Sequence, residues 1–125
     1  MKKQIIRLVL LALVLALFTL PVSAELMAGG WENVSCEAGV LPEDAQAAFD
    51  KALAELDGAE YTPVALLSKQ VVAGTNYCIL CQIMPVVPDP VPVWALVYIY
   101  ADLQGNAKIL NMYELYIDKH AEPAD

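Results

Sequence analysis

The sequence predicts an α+β domain, in which one helix packs on an antiparallel sheet; two observations lead to this class, and a third limits the domain. Apolar residues recur at three- and four-residue spacing between Pro42 and Leu56, which is typical of an amphipathic helix. The later apolar runs are short, rich in Val, Ile and Tyr, and separated by Gly, Pro, Asn or Asp, as expected for strands. The stretch before Glu25 has the composition of a targeting segment. A single helix followed by strands implies a sheet with one covered face.

Residues 1–24 are predicted to be a secretory signal peptide. Three basic residues precede an apolar run from Leu8 to Leu20, and Val22-Ser23-Ala24 forms a small-x-small cleavage site. The alternative is a membrane anchor, for which the apolar run is short. Cleavage would leave a single domain, residues 25–125, and would place it outside the cell or in the periplasm.

The remaining chain is strongly acidic. All 15 Asp and Glu residues follow residue 24, whereas only four lysines do, so the formal net charge of residues 25–125 is −11. This charge argues against nucleic acid and against anionic membrane surfaces as partners, and it suits a soluble secreted protein. It is compatible with a basic partner but does not identify one.

The predicted helix begins at Pro42, has Glu43 and Asp44 at its amino-terminal end, and is stopped by Asp57-Gly58. An extended segment, Glu25 to Val34, leads into the first strand ahead of it. The strands predicted after the helix are Tyr61–Lys69, Tyr77–Met84, Val93–Ala101 and Ala107–Ile117. Four prolines in residues 85–92 predict an extended loop outside the sheet.

Three cysteines, Cys36, Cys78 and Cys81, invite a redox or metal interpretation. Positions three apart in a strand face opposite sides about 10 Å apart, whereas a disulfide needs Cα atoms within about 7 Å. A metal would need further ligands, and His120 is the sole histidine of the sequence. We therefore expect no bond between Cys78 and Cys81, no metal site and no cofactor.

Alternation along the third and fourth strands assigns their two faces. Ile79, Cys81 and Ile83 are expected to face the helix, together with Ala95, Val97 and Ile99. The outward set is then apolar and aromatic for a solvated face, and it comprises Cys78, Leu80 and Gln82 of the third strand and Trp94, Leu96, Tyr98 and Tyr100 of the fourth. Such a face is expected to bury itself in a dimer or to bind a ligand or partner.

The hairpin between the second and third strands has an unusual tip. Gln70-Val71-Val72-Ala73-Gly74 joins them, and Gly74 allows the positive φ of a tight turn. Hairpin tips are normally polar, whereas this one is apolar. Two interpretations follow: the tip tucks into its own core, or it enters the cleft of a partner.

Gln70 to Gly74, with the following Thr75-Asn76-Tyr77, resembles the Gln-x-Val-x-Gly hairpin of cystatins and stefins, reversible inhibitors of papain-like cysteine proteases. The order of strand, helix and four strands is also similar to that family. Gly29-Gly30 resembles the family's glycine ahead of the first strand, with Gly30 the closer match. In the family, that glycine lets the amino-terminal segment enter the protease's unprimed subsites. In the last hairpin, Asp102-Leu103 replaces the family's Pro-Trp ahead of Gln104-Gly105, which removes a large apolar contact.

The resemblance implies a cystatin-like fold, a five-stranded antiparallel sheet wrapped around one helix. It also implies reversible competitive inhibition by a wedge that fills the protease cleft, without catalytic groups and hence without enzyme activity. The protease-binding residues that it implies are Gly29, Gly30, Gln70, Val71, Val72, Ala73, Gly74, Leu103, Gln104 and Gly105. Gln70 is expected to hydrogen-bond within the hairpin, and Gly74 to allow close backbone approach.

A second function stays open, because a fold alone does not determine function. The same fold could serve as a non-inhibitory binding or assembly module that uses the apolar outer sheet face, as a homodimer or a domain-swapped pair.

Overall fold

One antiparallel sheet and one α-helix form most of the regular structure in the computed structural model, which describes residues 29–35, 37 and 39–120. Both the predicted signal peptide, residues 1–24, and Cys36 lie outside these residues. Across the described ranges, no helix is long and apolar enough to cross a membrane.

The sheet has five strands within the described residues, and each strand pairs with its neighbours in the chain. Helix α1 spans Glu43–Leu53 and lies between the first two strands in sequence. The strands are β1 (Glu32–Asn33), β2 (Ala59–Val72), β3 (Gly74–Pro85), β4 (Val93–Ala101) and β5 (Ala107–Glu114). This arrangement confirms the predicted α+β class.

Helix α1 is shorter than predicted. Pro42 precedes it in an extended conformation, with φ −54° and ψ 147°, and is therefore not its first helical residue. The helix ends at Leu53, and Leu56, expected on its apolar stripe, is exposed. The reason is the early start of β2 at Ala59, which requires the chain to reverse through Gly58 at φ +88°.

The core lies between α1 and one face of the sheet. Ala45, Ala48, Phe49 and Leu53 of the helix are buried against it. The sheet residues that are fully buried in this cluster are Ile79, Cys81, Val97 and Ile99. The predicted alternation of faces along β3 and β4 is therefore confirmed.

Cys78 and Cys81 lie on opposite faces of β3. Cys81 belongs to the core beneath α1, whereas Cys78 lies beside Trp31 and Tyr98 on the other face. Both are free thiols, which confirms the predicted absence of a bond between them. Burial raises the pKa of the Cys81 thiol to about 11 and also raises that of Cys78.

The strand boundaries were predicted unevenly. Strand β4 has the predicted bounds. Of the predicted loop at residues 85–92, residues 86–92 lie outside the sheet, whereas Pro85 is the last residue of β3 and pairs with Ala59. The prediction for β5 was three residues too long, because the chain leaves the sheet after Glu114 and forms a 3₁₀ turn at Ile117–His120. Strands β2 and β3 extend further toward their hairpin than predicted.

Candidate functional site at the hairpin end of the sheet

The β2–β3 hairpin is tighter than the sequence suggests. Strand β2 continues through Val72 and β3 begins at Gly74, so that Ala73 alone lies between them. Val72 pairs directly with Gly74, and Val71 pairs with Thr75. Because β-branched residues suit strands and Gly74 takes a φ of +107°, the apolar tip forms strand almost to the reversal point.

Gln70 holds the two strands together. It lies directly opposite Asn76, and the Asn76 side-chain amide donates a hydrogen bond of 2.9 Å to Gln70 Oε1. This confirms the expectation that Gln70 bonds within the hairpin. The pair fixes the register in which residues 70–72 of β2 lie opposite residues 74–76 of β3.

Gly74 packs inward, against the end of β4. A Cβ atom at this position would overlap the Ala101 carbonyl oxygen and would lie 3.0 Å from Tyr100 Cε2 and 3.1 Å from Asp102 Cα. Gly74 is also buried. The close backbone approach that it permits is therefore made to its own chain, and other tip residues form the exposed surface.

Tyr100 ties the tip to β4. Its hydroxyl donates a hydrogen bond of 2.6 Å to the carbonyl oxygen of Ala73, 27 residues earlier in the chain. The exposed carbonyl at the turn is thereby fixed in direction. The Tyr100 ring also lies beneath the Lys108 ammonium, whose nitrogen is 5.8 Å from the ring centroid.

Asp102 organises the turn between β4 and β5. One carboxylate oxygen accepts hydrogen bonds from the backbone N–H groups of Gln104 and Asn106, and the other accepts from the Asn106 side chain. These bonds, with those from Asn106 the strongest, lower the pKa of Asp102. The turn is further fixed by Lys51 of α1, which donates a 2.5 Å hydrogen bond to the Gly105 carbonyl.

Leu103 is the residue that this turn presents to solvent. Its side chain is 78% exposed, and Gln104 and Gly105 beside it are also exposed. A leucine side chain that an ordered turn keeps exposed to solvent can make apolar contact with a partner.

The amino-terminal glycines lie on the other side of the tip. The Gly29 N–H donates a 2.9 Å hydrogen bond to the Val71 carbonyl oxygen, and a Cβ at Gly29 would lie 3.3 Å from that oxygen. Gly30, the closer family match, has open space where a Cβ would be. Gly29 is thus the glycine that contacts the hairpin, and both are exposed.

The three predicted segments therefore meet at one end of the sheet, here called the hairpin end and defined by Gly29-Gly30, residues 70–74 and residues 103–105. Its exposed apolar side chains include Val71, which is 59% exposed, Ala73 and Leu103. Two contacts that sequence reasoning missed hold these segments to the rest of the fold: Tyr100 of β4 bonds to Ala73, and Lys51 of α1 bonds to Gly105.

A cleft of about 520 Å³ separates the hairpin end from α1. Within it, the Tyr77 hydroxyl donates a 2.9 Å hydrogen bond to Asp44 Oδ2, and the residues around this pair are mostly small or apolar. Burial, followed by the Asp44 carboxylate, raises the pKa of Tyr77 to about 12. Tyr77 is thus a neutral hydrogen-bond donor at ordinary pH. Among the described residues, no cluster of three His, Cys, Asp or Glu side chains could hold a metal ion.

Comparisons with protein-family models, with curated proteins and with solved structures find no match to this chain.

Proposed function

We propose that this protein is a secreted, reversible inhibitor of papain-like cysteine proteases, which inserts its hairpin end into the active-site cleft. The observation that carries the proposal is the contact of three segments: Gly29 bonds to Val71, and Gly74 packs on the turn that presents Leu103. The similarity of residues 70–77 to the cystatin and stefin hairpin supports it, as does the packing of one helix across a five-stranded sheet.

The rigidity of the hairpin end favours binding. The Gln70–Asn76 pair, the Tyr100 bond to Ala73 and the Asp102 turn fix the segments before any partner arrives. Binding then orders few additional groups, and less of the contact energy is offset by lost conformational entropy.

The exposed apolar groups supply the contact surface. Val71, Ala73 and Leu103 project from three points of the hairpin end and would remove apolar area from water inside a protease cleft. Inhibition of this kind requires no bond to break, so it would be competitive and reversible.

The test is an inhibition assay against papain with two glutamate variants. Ala73→Glu places a carboxylate at the exposed tip, where a protease cleft would desolvate it, so we expect the inhibition constant to rise by about tenfold or more. Ala73 is the better position than Gly74, because a side chain at Gly74 would disturb folding.

Val87→Glu is the matched control. It makes the same change at an exposed apolar residue beyond the end of β3, away from the tip, and should leave inhibition unchanged. Absence of inhibition by the folded wild-type domain would refute the proposal, and so would an Ala73→Glu variant that inhibits as well as wild type.

A further inference from the structure

The face of the sheet turned away from α1 is not covered by any described element, and it is here called the outer face. Four cross-strand rows form it, and they run through Asn76, Cys78, Leu80 and Gln82 of β3. One central row consists of Ala65, Leu80, Leu96 and Tyr113. We propose that a second copy of this chain packs on this face, so that two sheets meet face to face in a homodimer.

An ordered aromatic cluster supports this role. The Tyr98 ring contacts Trp31 at 5.6 Å and Tyr113 at 5.8 Å between centroids, both edge to face. Trp31 and Tyr113 nevertheless remain 43% and 54% exposed. The rings are fixed against one another and still have apolar area to bury, which is the pattern of a preformed interface.

Charge favours a second copy over a different partner. None of the residues paired in the four rows is acidic, and Lys108 is the one charged residue among them. Residues 25–125 carry a formal net charge of −11, so most of their acidic groups lie elsewhere, although Glu60, paired with Met84, lies on the same side just beyond the four rows. A basic partner would be drawn to those acidic surfaces, whereas two acidic copies repel each other least where their neutral faces meet.

The dimensions of the outer face suit a stable dimer. Strand β4 has nine residues and is therefore about 30 Å long, and four strands side by side span about 19 Å. The flat footprint is about 570 Å² and side-chain relief adds to it, which approaches the roughly 800 Å² per partner of a standard interface.

Pairing through the sheet edges is disfavoured. Strand β1 has only two residues, and β5 pairs with β4 through an irregular register between Tyr98 and Ile99. The backbone N–H of Met112 is bonded to the side chain of Asn111, so it is not free to bond another strand. Contact between copies would therefore use the face, and the exposed residues Val71, Ala73 and Leu103 of the hairpin end lie outside its four rows.

The experiment is sedimentation of the domain, residues 25–125, from low micromolar concentration to its solubility limit, at low and high salt. We expect a reversible monomer–dimer equilibrium that strengthens with salt, because salt screens the repulsion between two acidic copies. A monomer throughout this range, or a dimer that weakens with salt, would overturn the proposal.

Three variants locate the interface. Leu96→Thr removes apolar area at the centre of the face and suits a strand, and Tyr113→Glu brings one carboxylate from each copy into the contact. Each should weaken dimerisation by about tenfold or more. Val91→Glu adds the same charge at a residue 72% exposed and outside the sheet, and it should not change dimerisation.

Folding of each variant is checked by circular dichroism. If Leu96→Thr fails to fold, Tyr113→Glu decides the matter, because Tyr113 is already more than half exposed. A dimer that forms equally well in wild type and in Tyr113→Glu, or that exchanges subunits only on unfolding, would show that another contact holds the copies together.

Discussion

Gly74 meets two independent requirements that a side chain cannot. Its φ of +107° is strained for any residue with a Cβ, and the Ala101 carbonyl occupies the space in which that Cβ would lie. Gly58 offers a natural comparison, because it has a φ of +88° but no atom within 4 Å of its hypothetical Cβ.

Comparing alanine variants at Gly58 and Gly74 separates the cost of backbone strain from the cost of steric overlap with β4. Gly58→Ala is expected to cost about 1–2 kcal/mol of unfolding free energy through backbone strain alone. Gly74→Ala should cost at least about 3 kcal/mol, because the backbone of β4 must also move. Urea unfolding of both variants measures the difference, and equal losses would mean that the contact with Ala101 is easily relieved.

At the scale of elements, α1 is joined to β3 by the hydrogen bond from Tyr77 to Asp44. The folded state raises the pKa of Tyr77 from about 10 to about 12, so folding stabilises the protonated phenol. This contribution is complete below pH 10 and is lost as the pH rises from about 10 to about 12.

Tyr77→Phe tests this link. Between pH 9 and pH 11 the wild type should lose about 1 kcal/mol more unfolding free energy than the variant, since the variant has no phenol to ionise. All other ionisable groups are common to both proteins, so the measured quantity is the difference between the two. An identical pH dependence would show that the unfolded and folded phenols ionise alike.

Elements bounded by strong local signals were predictable from sequence. Strand β4 lies between a proline-rich segment and the turn at residues 102–106, which predicted its limits, and the parity of a strand then assigned its two faces. The end of α1 was missed, because the limit at Leu53 depends on where β2 starts and not on helical periodicity.

The segments that form the candidate site were predictable from the sequence, but the contacts that hold these segments in place were not. Residues 70–74 and 103–105 were found from turn signals and from the family resemblance. Lys51 and Gly105, in contrast, are 54 residues apart, and their hydrogen bond exists only because α1 crosses the sheet near the β4–β5 turn. No local pattern encodes such a contact.

At the scale of the whole molecule, the two proposed surfaces adjoin. The hairpin end lies at one limit of the strands and the outer face extends along their sides, and Gln70, whose row runs through Asn76 and Tyr100, belongs to both. Both proposals concern the chain after removal of its amino-terminal segment, which makes processing a property that can be measured by itself.

We expect the full-length chain, expressed in a secreting host, to be cleaved after Ala24. The intact mass of the exported protein should correspond to residues 25–125, because a basic start, an apolar run and a small-x-small site direct cleavage there. Ala24→Pro, which blocks the cleavage site, is the control and should retain the segment. Export of a wild-type chain that still contains residues 1–24 would instead favour the membrane anchor.

The inward packing of Gly74 also bears on how such signatures should be read in evolution. Of the three fixed letters in Gln-x-Val-x-Gly, Gln70 bonds to Asn76 and Gly74 fits beneath β4, so selection for folding alone would preserve both. A chain with this fold and no inhibitory activity would therefore still display them. Under the proposed function, substitutions would first accumulate at the variable positions Val71 and Ala73, and at Leu103, once selection for inhibition ceased.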